Sequence, residues 1–251
     1  MEEVLPPDIR KEEERGIDEY LSEGFNLIIS NHKLLIPFMV PLLVNILYGI
    51  YLLEHFFRGW LFTPIMLSGA PTLDWRQFLI VSILVVIIIM VFMLWGIESV
   101  AYFVVKEQNI SKAMSFGVKK LPVTFVNYII LLAIIFVLFI PVVVVHSLWF
   151  ILLYSFLVAV LVSPLVFLLP PIMVEKNFAV IETFFLYKET FKRSIILGLL
   201  YSLVSSAVSS LILIIGGSLN ILLVIPGFVA TYSILYKDYR EKEESGFLPS
   251  L

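Results

Sequence analysis

A chain of 251 residues that is 60% hydrophobic and only 15% charged lies well above the roughly 45–50% apolar content of soluble domains. It belongs to the membrane class, with no length left over for a separate soluble catalytic domain. The net charge of −3 comes largely from the acidic stretches 2–23 and 238–244, the clustered basic face that a nucleic-acid partner requires is missing, and the absence of cysteine excludes disulfides, thiolate metal sites and a cysteine nucleophile.

Residues 1–16 are charged and carry no apolar core, which excludes a secretory signal peptide and predicts a disordered acidic cytosolic tail. Ile17, Tyr20, Leu21, Gly24, Phe25 and Ile28 then fall on one helical face, with Asp18, Glu19, Ser22, Glu23 and Asn26 opposite. That pattern predicts an amphipathic helix lying in the membrane interface. Leu34 to Leu53 follows without a charge, long enough to cross a hydrocarbon core of roughly 30 Å, with Pro37 and Pro41 bending its first turns. From Glu54 to Gln77, Phe56, Phe57, Trp60, Phe62 and Trp75 lie among prolines and glycines, the composition of a loop folded onto the headgroup layer.

The second span runs from about Phe78 to Val105 and contains Glu98. Ile110, Ala113, Met114, Val118 and Leu121 form the stripe of a second surface helix, with Lys112, Lys119 and Lys120 in water. Pro122 marks a break before the third span, Val123 to Val145, and a short link at His146 and Ser147 returns the chain through the fourth, Leu148 to about Ile172. Pro164 should kink that span.

Pro170 to Ser194 is the one long polar and aromatic interruption in the second half of the chain. It reads as an elbow on the membrane surface. The fifth span, Ile195 to Ile215, carries Gly198, Ser202, Ser206 and Ser210 at four-residue intervals, the small-residue pattern that lets membrane helices approach closely. A Gly216-Gly217-Ser218 turn leads into the sixth span, Leu219 to Tyr236, with Pro226-Gly227 repeating the late proline of the fourth.

Of the 17 lysines and arginines, all but Arg58 and Arg76 fall on one side of this layout. The positive-inside rule then puts both termini and the surface helices in the cytoplasm. The predicted fold is an all-α integral membrane protein of the cell membrane. It has six transmembrane helices and amphipathic interfacial helices on the cytoplasmic side, in one domain over 17–240 with a cytosolic tail at 241–251. The three units of surface helix plus hairpin could be parallel repeats.

Met173-Val174-Glu175 through Ser194, and Thr231 to Arg240 with its Leu-Tyr-Lys-Asp-Tyr-Arg ending, resemble the prokaryotic membrane families, common in archaea, grouped around the glycerophosphoryl diester phosphodiesterase membrane domain. Lys176 stands where that pattern often has Gly, and Thr183 where it often has Ala. The resemblance implies a six-helix membrane module from a family of unsettled role, with lipids as the candidate ligands. The phosphodiesterase activity in such fusions belongs to a separate soluble barrel.

Glu98 is the intramembrane acid, costly at mid-membrane by roughly 2.5–3.5 kcal/mol and by default a functional candidate. The alternative is a carboxyl bonded to a serine, a tyrosine or a surface-helix lysine, with Trp95, Ser99 and Tyr102 as helical neighbours. Asn45, Asn127 and Asn220 suit interhelical hydrogen bonds. Glu175 suits a clamp on the elbow. Lys188, Lys192 and Arg193, with Lys119 and Lys120, suit anionic headgroups or plain orientation. No HExxH, GxSxG, P-loop or GxGxxG pattern occurs, and His32, His55 and His146 are far apart, so neither enzyme chemistry, a metal nor a cofactor is expected. The leading expectation is a non-enzymatic module that binds lipid or another amphiphile, or an assembly partner that pairs through the fifth span. The alternative is a small transporter or channel using Glu98.

Overall fold

The computed structural model describes residues 15–52, 75–145, 147–210 and 213–245. His55, His146 and most of the aromatic loop after the first span lie outside them. The described secondary structure is entirely helical. In chain order it comprises α1 (Ile17–Ser30), a 3₁₀ turn (His32–Leu35), α2 (Ile36–Leu52), α3 (Trp75–Val105) and α4 (Ile110–Val144). There follow α5 (Leu148–Met173), α6 (Val180–Glu189), α7 (Phe191–Ser209), α8 (Leu213–Leu219), a π-helical turn (Asn220–Val224) and α9 (Ile225–Glu244). Six stretches among the described residues are long and apolar enough to cross a membrane: His32–Leu52, Arg76–Val105, Ile110–Val142, Leu148–Met173, Phe191–Ser209 and Gly216–Glu244. The protein is an all-α, multi-pass membrane protein.

The centre of the bundle is α9. Every residue from Pro226 to Tyr236 is buried, and a helix apolar on all sides has no solvent face to show. It packs on α1, α3 and α5. Phe167 of α5 stacks on Tyr232 with ring centroids 5.6 Å apart and meets Tyr201 of α7 edge-on at 4.7 Å, while the Tyr232 hydroxyl donates to the Ser194 carbonyl at 3.0 Å.

α1 has the predicted amphipathic pattern, but its apolar face is spent on protein. Tyr20, Gly24 and Ile28 are buried, a Cβ on Gly24 would stand 2.7 Å from the Thr231 amide nitrogen, and Phe25 meets Phe228 edge-on. The expected lipid-facing helix is therefore a clasp on α9. Arg15 and Tyr20 both bond to Asp238, which brings the two described ends of the chain together at one end of the bundle. Arg15 is thus not part of a free tail, and α9 continues past Arg240 to Glu244, supported by Arg240 pairs to Glu243 and Glu244.

The second surface helix does not exist as a separate element. α4 runs unbroken for 35 residues through Pro122. Proline there forfeits a bond to the Val118 carbonyl, yet the first turns are held in line by α3. Ala113 and Gly117 are buried, a Cβ on Gly117 would lie 2.7 Å from the Trp95 carbonyl oxygen, and Trp95 donates from Nε1 to the Met114 carbonyl at 3.0 Å. With 31 residues in α3 and 35 in α4, the pair measures about 46 and 52 Å. Both outrun a hydrocarbon core of roughly 30 Å and project from it. Only the third unit keeps a short separate surface helix, α6, so the three units do not share one geometry.

Two further expectations are corrected. α7 ends at Ser209, and Gly216-Gly217-Ser218 lies inside α8 instead of forming the turn. The glycines serve close packing: a Cβ on Gly216 would crowd Val208 and Ser209, and one on Gly217 would stand 3.0 Å from the Asn45 amide nitrogen. Pro164 lies inside α5, with its ring packed over Gly198 of α7. At Pro226 the missing N–H coincides with the preceding π-helical turn, where the chain absorbs one extra residue.

Candidate functional site

The polar side chains of the bundle converge on the elbow, Val174 to Ala179, between α5 and α6. α5 runs through Pro170 and Pro171 and closes with the Glu175 and Lys176 amides on the Ile172 carbonyl, 3.1 and 3.0 Å away. The exposed turn would leave main-chain groups unpaired at a bundle edge. Side chains of α4 answer the main-chain groups, and side chains of α3 and α9 hold the Glu175 carboxylate.

Asn127 of α4 is fully buried. Its amide donates to the Val123 carbonyl at 2.9 Å and the Asn177 carbonyl at 2.8 Å, and its oxygen accepts the Ala179 N–H at 3.0 Å. Two turns earlier on the same helix, Lys120 donates from Nζ to Asn177 Oδ1 at 2.8 Å and to the Lys176 carbonyl at 3.4 Å.

Glu175 receives Lys106 of α3 on Oε1 at 2.7 Å and the Tyr236 hydroxyl of α9 on Oε2 at 2.7 Å, with Arg240 Nε at 3.3 Å. Burial alone pushes this carboxyl up. The hydrogen bonds from Lys106 and Tyr236 and the two cationic charges outweigh it and hold the group below the ordinary glutamate value. Glu175 is a clamp, as expected, but its partners are not the elbow lysines. Tyr236 and Arg240 escaped the sequence reading although they stand four residues apart on one helical face, which was the available signal.

α6 lies outside this knot. Val180, Thr183 and Leu186 face inward, and the outward stripe reads Phe178, Ile181, Phe185, Lys188, Lys192 at three- and four-residue steps. Phe178 and Ile181 are 71% and 70% exposed, and both lysines are exposed. Lys119 is exposed as well, whereas Arg193 is half-buried and its charge acts on Tyr20. The five basic candidates therefore divide: Lys188, Lys192 and Lys119 face outward, and Lys120 and Arg193 face protein.

Glu98 sits between α3 and α4 with 0% exposure, and neither carboxyl oxygen accepts a hydrogen bond from a described residue. Its expected neighbours are engaged elsewhere. Trp95 bonds to Met114, Ser99 donates to the Trp95 carbonyl at 2.8 Å, and Tyr102 stacks on Phe116 with ring centroids 4.5 Å apart. Thr124 lies against the carboxyl, and the Lys120 charge acts on it. Thr124 was missed because it belongs to the next helix, which sequence spacing does not register.

The small-residue ladder of α7 splits. Gly198 and Ser202 are buried, and a Cβ on Gly198 would stand 2.6 Å from the Val160 carbonyl oxygen of α5. Ser206 and Ser210 are exposed. The half-buried Ser205 and the exposed Ser209 meet the π-helical turn instead, the Ser205 main-chain carbonyl and the Ser209 hydroxyl accepting the Asn220 amide at 3.2 and 2.7 Å.

This architecture defines a polytopic helical membrane protein with its polar machinery at one end. Comparison with family models, with curated proteins and with solved structures finds no match for this chain.

Proposed function

We propose that this is a non-enzymatic module of the cell membrane that binds anionic lipid or a related amphiphile at the elbow, its basic end and both termini in the cytoplasm. The observation that carries the reading is a row of exposed side chains at the elbow: Phe178 just before α6, Ile181, Phe185 and Lys188 on α6, and Lys192 in the first turn of α7. Apolar side chains enter the acyl boundary and lysines meet headgroups, each cation contributing on the order of 1 kcal/mol at a charged surface. The bonds from Asn127, Lys120 and Glu175 keep the start of α6 fixed, so the stripe is presented without an ordering cost.

Native mass spectrometry from mild detergent tests it. A stoichiometric anionic lipid that survives washing and is lost in Lys188→Ala with Lys192→Ala is expected; a bare wild-type protein overturns the reading. The same spectrum reports whether copies pair through the exposed Ser206 and Ser210. A second reading, a small transporter or channel, is supported by the unpartnered Glu98 carboxyl, and its test is proton or cation flux into liposomes with Glu98→Gln as the control.

A further inference from the structure

A cavity of about 160 Å³ opens at the polar end of the bundle between α1, α3 and α9. That volume equals roughly five waters at about 30 Å³ apiece, or one small organic molecule. Its apolar part is the buried Val104 and Ile234 with the half-buried Leu27, one side chain from each helix. Most of the remaining lining is charged. Arg15 is spent between two carboxylates, with Nη1 3.2 Å from Glu23 and 3.2 Å from Asp238, and Asp238 also accepts the Tyr20 hydroxyl at 2.9 Å. Those groups answer one another within the clasp. Lys237 and Glu241 differ: both line the cavity, both are exposed, and neither pairs with another described residue. They stand four residues apart on α9, one turn of about 5.4 Å, so an uncommitted ammonium lies beside an uncommitted carboxylate next to an apolar patch. A simple anion would leave Glu241 unanswered, and a simple cation would leave Lys237 unanswered. A molecule that carries both charges a few bonds apart answers both, each through a charge-assisted hydrogen bond roughly twice as strong as a neutral one.

We propose that this cavity binds a small zwitterion of the aliphatic α-amino-acid class, its carboxylate on Lys237, its ammonium on Glu241 and its side chain against Val104, Ile234 and Leu27. The site touches α1, α3 and α9 together, so a bound ligand reinforces the clasp of α1 on α9 by linkage. None of the lining residues belongs to the elbow or to α6, and the site stands independently of lipid binding there.

The test is thermal unfolding of the full chain in mild detergent, titrated with L-valine. The controls are isobutylamine, which lacks the carboxylate, and isovalerate, which lacks the ammonium. A saturable rise in unfolding temperature at millimolar L-valine, absent with either control, is expected. Lys237→Met and Glu241→Gln each remove one charge from an exposed position and leave the clasp intact. Each should raise the L-valine concentration at half-maximal shift roughly tenfold. No saturable rise in the wild type overturns the proposal. So does an equal rise in both variants, which is general exclusion of solute from the protein surface, and so does a rise that either control reproduces. A response to O-phosphoethanolamine without one to L-valine gives the site to a lipid headgroup and overturns the amino-acid assignment.

Discussion

At Asn127 one buried amide answers three main-chain groups, two of them on the elbow. Asn127→Leu fills the same space but leaves the Ala179 N–H and the Asn177 carbonyl unanswered. It should cost about 1–3 kcal/mol for each group left buried, read as a lower unfolding temperature in detergent. Glu175 makes a different prediction because its carboxyl is held below the ordinary value by Lys106, Tyr236 and Arg240. A carboxyl depressed in the folded state contributes stability that is complete above its ordinary value of about 4.3 and is lost as pH falls through the folded value. Glu175→Gln should therefore be less stable than wild type at pH 7, with the difference shrinking on acidification below about pH 4.3. A constant gap across that range would remove the carboxylate from the explanation. In sequence Asn127 was legible as an interhelical hydrogen-bonding group within a span and Glu175 as a clamp on the elbow. Their partners were not, because a contact such as Glu175 to Tyr236, 61 positions apart, leaves no periodic trace.

Among the elements, α7 shows how a repeat in the sequence diverges from the face it occupies in space. A strict four-residue step advances about 40° beyond a full helical turn, so from Gly198 to Ser210 the ladder rotates about 120° off the interface. Gly198 and Ser202 stay buried, while Ser206 and Ser210 have turned outward. Gly198→Val should destabilise the protein by about 1–3 kcal/mol through overpacking against the Val160 carbonyl, while Ser210→Leu should stay within about 0.5 kcal/mol; unfolding temperatures of the two variants decide it. The same limit explains Pro122. Local chemistry argued for a break, and packing of Gly117 on Trp95 overrode it. The spans were legible from hydropathy because lipid-facing side chains such as Leu79, Ile83 and Phe136 remain exposed on the bundle surface. The centrality of α9 was not, since hydropathy marks Leu219 to Tyr236 as one span among six and carries no sign that α1, α3 and α5 all pack on it.

For the molecule as a whole, the gathering of Arg15, Lys106, Lys120, Lys176 and Arg240 at one end makes orientation directly testable. The chain contains no cysteine, so single introduced thiols report their side without background. Ser147→Cys should react with an impermeant maleimide in intact cells, and Ser22→Cys only after permeabilisation. The reverse pattern would turn the proposed topology over.

The clasp between α1 and α9 also governs the order in which the structure can be completed. Arg15 and Asp238 are 223 positions apart, and at the synthesis rates of roughly 5–20 residues per second the first of the described helices waits ten seconds or more for the last. Throughout that interval Tyr20, Gly24 and Ile28 have no α9 to cover them. The nascent chain therefore carries an uncovered amphipathic helix next to the bilayer while the spans between are being inserted. Its resting place in that period is the lipid surface, which the sequence pattern of α1 describes well and the finished protein no longer uses.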